Sequence, residues 1–334
     1  MEPVKFPMIS VLVAARNEAA NIGSCLDALL NQNYPKNDFE IWVGDDQSTD
    51  STAAIVRQYE KDYPNVHLLP VTTELTHLKG KANVLAQLAH KATGEYLFIT
   101  DADMTLVPQW MTVMLNSFSQ GTGIITGVTA VLGKGLFARL QNAEWLFYTG
   151  HGYYNALNGR PVTAMGNNMA VTTEAYRQTG GYENIPFSVT EDYELYRQVV
   201  KRGYAFRSLL EKDVLGFTHP IATIGGLIQQ RRRWFTGALQ LPKFLVAGLV
   251  ILWVYLPIIL ITALFLGWWV GAALFLLKWL FDIFFLLKIY RKLGLKPDIA
   301  TAVYTPFSMI GNPILLILQL IPGPVRWKGR KYVI

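Results

Sequence analysis

Cysteine is almost absent: Cys25 is the single one in 334 residues. One thiol excludes an intramolecular disulfide. The opening stretch, Met1 to Pro7, has no charged start, apolar h-region or small-residue cleavage site, so no secretory leader is expected and the soluble part is placed in the reducing cytosol. Charge is also uneven. The net charge is +6, but much of the excess sits in Arg231 to Arg233, Lys288 to Lys296 and Arg326 to Lys331, beside apolar segments. That placement argues against a nucleic-acid partner and for inside-facing anchors touching anionic headgroups.

What the chain has in quantity is apolar residues, 51% of the total, unevenly spread. Residues 1–240 read as a mixed α/β sequence, whereas 244–290 are almost continuously apolar. About 20 apolar residues cross a hydrocarbon core, so Phe244 to Leu287 has room for two spans, broken near Gly267 and Gly271 into a helical hairpin. Lys278 and Asp282, four apart in the second span, are expected to form a structural ion pair in preference to contacting an acceptor headgroup. Ile299 to Val325 is too short for two spans and carries Pro306, Pro313, Pro322 and Pro324. With basic clusters on both sides of it, the positive-inside rule predicts a broken, re-entrant segment, a conventional third span being the alternative.

In the first part, strand-like runs alternate with helical spacing. Ile9 to Ala15 precedes Ile22, Leu26, Leu29 and Leu30; Phe39 to Val43 precedes a helix from about Asp50; Val66 to Val71 precedes a helix from Gly80 to Lys91; Tyr96 to Thr100 follows. This predicts an α/β domain with a mostly parallel sheet, whose ligands gather at the carboxyl ends of the strands. Three of those ends are acidic: Glu18, Asp45 with Asp46, and Asp101 with Asp103. Any one reads as a turn former. Together they accumulate negative charge that calls for a cation.

Asp101 and Asp103 flank Ala102 in extended chain, so both carboxylates can face one ligand, such as Mg²⁺ shared with phosphate oxygens. Lys79 and Lys81 at a helix start can meet the same phosphates or be plain surface lysines. Thr190-Glu191-Asp192 before a helical stretch, Tyr193 to Lys201, is either a helix cap with acids in the first turn or the source of a general base. Gln230, Arg233 and Trp234 share one helical face, offering an amide, an anion-binding fork and an aromatic platform. Arg231 and Arg232 fit a basic membrane-surface patch. Gly133 to Asn158 is dense in aromatics, and is either an interfacial helix lying on the membrane or against a membrane domain, or a buried core helix.

In order, Glu18, Asp45-Asp46, Asp101-x-Asp103, Thr190-Glu191-Asp192 and Gln230-x-x-Arg233-Trp234 resemble the motif series of family 2 glycosyltransferases. The last two point to the membrane-integrated branch with cellulose, chitin and hyaluronan synthases and ceramide glucosyltransferase. The tail Trp327-Lys328-Gly329-Arg330-Lys331-Tyr332 is similar to that of the ceramide and hopanoid enzymes. The resemblance implies a GT-A fold and inverting, metal-dependent hexosyl transfer. It implies that Ala14, Ala15, Glu18, Asp46, Lys81, Asp101, Gln230, Arg233 and Trp234 hold a nucleotide-diphosphate sugar, UDP-linked by analogy. Asp103, supported by Asp101 and with His219 as a further candidate, would bind Mg²⁺ or Mn²⁺. Asp192 would be the base, and Gly166, Asn167, Asn168, Glu191 and Trp234 would line the acceptor site.

The expected division is a cytoplasmic GT-A domain over 1–222, an amphipathic interfacial helix over 223–241, and a membrane domain of about three hydrophobic segments with a basic tail over 242–334. Processive synthases usually carry spans before the catalytic domain and more behind it. Their absence here favours a single transfer to a lipid at the cytoplasmic face, with polymer synthesis the alternative. The membrane would be the plasma membrane of a prokaryote, or the ER or Golgi of a eukaryote, and no obligate protein partner is inferred. A sugar nucleotidyltransferase needs a glycine-rich first loop, and Ala14-Ala15-Arg16-Asn17-Glu18 has no glycine.

Overall fold

The computed structural model describes residues 6–319 except 76, 162–164, 187, 189 and 239–240, together with 325–327 and 330–332. Lys328 and Gly329 of the tail motif, and Pro322 and Pro324, lie outside the described residues. The elements run β1 (Ile9–Ala15), α1 (Ile22–Leu30), β2 (Phe39–Asp45), α2 (Thr52–Asp62), β3 (Val66–Pro70), α3 (Gly80–Lys91), β4 (Tyr96–Asp101), β5 (Thr105–Leu106) and α4 (Trp110–Asn116). Then follow β6 (Thr122–Thr126), β7 (Val128–Val131), α5 (Leu136–Leu157), β8 (Asn168–Thr172), α6 (Thr173–Thr179), α7 (Gly181–Asn184), α8 (Glu191–Lys201), β9 (Ala205–Ser208) and β10 (Leu215–Thr218). The last part holds α9 (Ile224–Ala238), α10 (Lys243–Leu266), α11 (Trp268–Lys292), α12 (Ile299–Gln319), β11 (Val325–Trp327) and β12 (Arg330–Tyr332).

Two compact units form. The first is Met1–Thr129 with Tyr153–Thr218, the second Ala130–Gly152 with His219–Ile334. The first is built on a seven-stranded sheet ordered β3-β2-β1-β4-β8-β6-β9. β1 pairs in parallel with β2 and β4, and β2 with β3. Ile9, Val11, Leu12 and Val13 are wholly buried, because a parallel strand has both faces covered by crossover helices and reads as a continuous apolar run. β8 is antiparallel to both β4 and β6. A small second sheet, β5-β10-β7, stands beside it.

The second unit contains three helices long and apolar enough to cross a membrane: Lys243–Leu266, Trp268–Lys292 and Ile299–Leu318. Leu264, Phe265, Trp268 and Trp269 are exposed, an apolar patch that suits lipid and not water. The hairpin turns at Gly267, whose φ of 100° favours glycine. Gly271, expected at the break, lies instead inside α11. A Cβ there would come within 2.7 Å of Ala263 Cβ, so this glycine lets the two helices approach. The aromatic segment joins this unit over residues 130–152. Phe147 meets Phe285 at 5.4 Å and Tyr304 at 5.1 Å, and Asn142 Nδ2 donates to Tyr290 Oη at 3.2 Å. α5 thus packs on the apolar helices over this stretch.

Lys278 Nζ lies 2.5 Å from Asp282 Oδ2, which also accepts from Thr305 Oγ1 at 2.9 Å. Asp282 is wholly buried, so the pair, closed by a hydroxyl, ties α11 to α12. Over its described part the last segment is one helix, α12, with Pro306 and Pro313 inside it; the stretch of the expected break that holds Pro322 and Pro324 lies outside the described residues. A proline removes the hydrogen bond to the carbonyl four residues earlier. For Pro306 that carbonyl belongs to Ala302, and Trp279 Nε1 donates to it at 2.7 Å.

Tyr255 Oη donates to Leu274 O at 3.3 Å across the antiparallel hairpin, which sets the end of α11 beside the start of α10. α12 begins just after, where Asp298 meets Arg139 at 3.7 Å. β11, which follows α12, packs on α9, the helix leading directly into α10. In a Cys25→Ala background, cysteines placed at Lys296 and Lys331 are therefore expected to react with an impermeant maleimide from the same side of sealed vesicles. Labelling from opposite sides would mean that α12 crosses.

Candidate functional site

The carboxyl ends of β1, β2 and β4 converge, as neighbours in a parallel sheet must. Asn17 and Gln47 follow β1 and β2 with φ of 53° and 56°, a conformation costly for residues with a side chain and often found at functional sites. The two loops are laced together: Asn17 N donates to Ser48 Oγ at 2.9 Å, and Thr49 N to Asn17 Oδ1 at 2.8 Å. Arg16 Nη1 donates to Asp46 O at 2.6 Å and lies 3.8 Å from Asp46 Oδ2. Ala14 and Ala15 end β1; Ala15 is buried and accepts from Asp46 N through its carbonyl. Glu18 is also buried. Its amide donates to Thr52 Oγ1 at 2.8 Å and its carboxylate accepts from Asn21 Nδ2 at 2.8 Å, so it anchors the start of α1.

At the end of β4, Asp101 and Asp103 diverge. Lys81 Nζ lies 2.5 Å from Asp101 Oδ1 and 3.3 Å from Glu191 Oε1, and donates to Gly166 O at 3.3 Å. Burial alone would lower the Lys81 pKa, but Asp101, Glu191 and Asp192 outweigh it and hold the ammonium above the usual lysine range. Lys81 is thus charged and placed among acids. Lys79, by contrast, is exposed. Asp103 Oδ2 accepts from Thr218 Oγ1 at 3.1 Å, a partner that sequence reasoning missed because a lone threonine has no pattern.

The Asp103 carboxylate is a hard oxygen donor of the kind Mg²⁺ or Mn²⁺ takes together with substrate oxygens, whereas Asp101 is in contact with Lys81. Among the described residues no group of three His, Cys, Asp or Glu side chains forms a ready-made cage. His219 is exposed and joins no such group among them.

Glu191 and Asp192 open α8 and point to different partners. Asp192 Oδ2 accepts from Gly166 N at 2.7 Å and Oδ1 from Tyr193 N at 2.8 Å. Glu191, buried, is taken by Lys81. Thr190 is the N-cap of α8, with Glu191, Asp192 and Glu194 in its first turn, although its side chain makes no cap bond. Asp192 remains half-buried, the more accessible of the two acids.

The glycine-led segment departs from expectation. Asn168, expected to touch an acceptor, is wholly buried. Its Oδ1 accepts from Trp110 Nε1 at 2.8 Å, and its Nδ2 donates to Val128 O and Val214 O, each at 2.9 Å. It is a strut of the first unit with its hydrogen bonds used internally. Asn167 is also buried, with Oδ1 accepting from Thr129 Oγ1 at 3.1 Å. Gly166 stays in play, because a Cβ there would lie 2.7 Å from Asp192 Cβ.

In the second unit, Gln230, Arg233 and Trp234 lie on α9. Gln230 Oε1 accepts from Arg231 Nη1 at 2.6 Å. Arg231 corrects the basic-patch reading: it is buried and paired with Glu144 at 2.5 Å, so it is not a headgroup contact.

A family model described as glycosyl transferase family 21 matches residues 2–334. The chain belongs to that family. It is 27% identical over 244 residues to beta-monoglucosyldiacylglycerol synthase of Nostoc sp., a match covering 70% of this chain and 49% of that protein. It is 27% identical over 233 residues to poly-beta-1,6-N-acetyl-D-glucosamine synthase of Staphylococcus epidermidis, covering 69% of this chain and 54% of the other. The chain thus spans about half the length of these curated relatives. Mannosyltransferase PcManGT from Pyrobaculum calidifontis, solved with GDP-Man and Mn²⁺, superposes with a TM-score of 0.60 at 20% identity, covering 95% of this chain and 88% of that one. The likeness shows the GT-A fold.

Gly166→Ala forces Asp192 to move. Glycosyl transfer is expected to fall on the order of 10²-fold, the usual cost of misplacing a reacting group by about 1 Å, while nucleotide affinity and melting temperature stay near wild type. Unchanged turnover would show that the Gly166 contact does not set the position of Asp192.

Proposed function

We propose that the chain transfers a hexosyl group, with inversion, from a nucleoside-diphosphate sugar to the hydroxyl of a membrane lipid at the cytoplasmic face. The observation that carries this reading is the split between two adjacent acids: Glu191 is neutralised by Lys81, whereas Asp192 is accessible and held by backbone N–H groups. Direct displacement at the anomeric carbon needs a base on the side opposite the leaving diphosphate. Asp192 takes the acceptor proton as the new C–O bond forms and the bond to the diphosphate breaks. Asp103 would hold Mg²⁺ or Mn²⁺, with Asp101, itself paired with Lys81, in support; the ion would stabilise charge on the departing diphosphate. Arg16, Asp46 and the two left-handed loops hold the nucleotide through backbone and carboxylate contacts. Gln230, Arg233 and Trp234 serve the diphosphate and the acceptor.

A lipid acceptor is supported by the three long apolar helices, by membership of family 21 and by the Nostoc relative, whose name is that of a glucosyldiacylglycerol synthase. A UDP-linked donor is inferred from the same relationship. Polymer synthesis is the second reading, favoured by the similarity to the Staphylococcus epidermidis enzyme.

Membranes containing the chain, given UDP-glucose, UDP-galactose, UDP-N-acetylglucosamine or GDP-mannose, are expected to yield a lipid heavier by the one glycosyl residue of the donor used, in mass spectrometry. A ladder of many additions would favour the polymer, and no product from any donor would contradict transfer. Activity should vanish in EDTA and return with Mg²⁺ or Mn²⁺. Full activity in chelator, or in Asp103→Ala, would remove the metal assignment.

A further inference from the structure

The motif on α9 places Gln230, Arg233 and Trp234 on one helical face, and Arg231 between them belongs to no part of it. Yet Arg231 is the buried one. Its Nε donates to Glu144 Oε1 at 3.2 Å and its Nη2 to Glu144 Oε2 at 2.5 Å, a two-pronged fork. Both side chains are less than one-tenth exposed. The third prong, Nη1, donates to Gln230 Oε1 at 2.6 Å. The guanidinium carbon of Arg231 lies over the Trp234 ring, 4.2 Å from its centre, and Trp145 meets the same ring edge-to-face at 4.8 Å and 77°.

Each contact has a directional consequence. A guanidinium only donates, so the Gln230 amide must turn its oxygen toward Arg231. Its NH₂ is then the end left to face a ligand, and an NH₂ group suits an anionic phosphate oxygen. Trp234, pressed between Arg231 and Trp145, loses the freedom to swing about its χ angles. The charge that does this ordering would be untenable at such burial without Glu144.

We propose that Arg231 and Glu144 form a positioning pair that presets the two substrate-facing side chains of the motif, fixing Gln230 as a hydrogen-bond donor and Trp234 as a rigid platform. This rests on the reading that Gln230 and Trp234 serve the substrates. Glu144 lies on α5, far away in sequence, so the motif on α9 is completed by a residue that no local pattern includes. Lysine in place of Arg231 keeps the charge but loses the fork and the flat face.

The test uses full-length protein in membranes with whichever of the four nucleotide sugars above gives lipid product. Arg231→Lys and Glu144→Gln are each expected to lower kcat at least 10-fold, the melting temperature shifting by only a few degrees. If the pair acts through Gln230, the Arg231→Lys penalty shrinks to under 3-fold in a Gln230→Ala background, because neighbours that act as one unit are not additive. A penalty of the same size in the wild-type, Gln230→Ala and Trp234→Ala backgrounds alike marks Arg231 as merely structural and overturns the proposal. Should the single variants fail to fold, the neutral combination Glu144→Gln with Arg231→Met removes both buried charges together and is expected to fold. It should remain at least 10-fold slow; full activity there overturns the proposal. If Gln230→Ala and Trp234→Ala are themselves as active as wild type, the underlying reading of the motif fails instead.

Discussion

Carboxylates gathered at the ends of parallel strands repel one another, and the site depends on how that repulsion is met. In this molecule Lys81 meets it. Its ammonium touches Asp101 from β4 and Glu191 from α8 and hydrogen-bonds the Gly166 carbonyl, so one side chain ties the end of β4 to the start of α8. At close range inside a protein such charge pairs are far stronger than in water. Removing the cation would leave the two acids without the counter-charge they share. The same contact also separates two successive acids: Glu191 serves as a counter-ion to Lys81, and Asp192 is the one that the proposed function assigns to chemistry.

The second unit meets an analogous difficulty in an apolar setting. Its buried charges, Lys278 with Asp282 and Arg231 with Glu144, are both paired, and each pair joins different helices or is closed by a hydroxyl from one. The carbonyl freed by Pro306 is taken by an indole N–H. Where water cannot satisfy polar groups, side chains must, and these contacts are what permit a proline-containing helix to stay continuous.

Much of this was legible in the sequence. The helix Gly80–Lys91 and the strand Ile9–Ala15 have the bounds that their periodicity predicts, because each carries a clean apolar pattern ended by glycine or polar residues. The antiparallel placement of β8 between β4 and β6 was not legible, since strand direction leaves no mark on alternation. In the site, the acids were found by their positions at strand ends, but their partners were not. Thr218 on Asp103, and Glu144 on Arg231 across 87 residues, depend on tertiary contact alone. Asn168 misled for the opposite reason: a polar residue beside Gly166 looks available, and only packing reveals that Trp110, Val128 and Val214 already occupy it.

On the proposed function Lys81 separates Glu191 from Asp192, so that only Asp192 acts as a base. Comparing turnover of Asp192→Asn and Glu191→Gln in the same membranes tests it most directly. Asp192→Asn keeps the shape and removes the proton acceptor, so transfer is expected to fall on the order of 10² to 10⁴-fold with nucleotide binding and metal dependence intact, and Glu191→Gln should cost less. Near-normal turnover in Asp192→Asn together with none in Glu191→Gln would contradict the account.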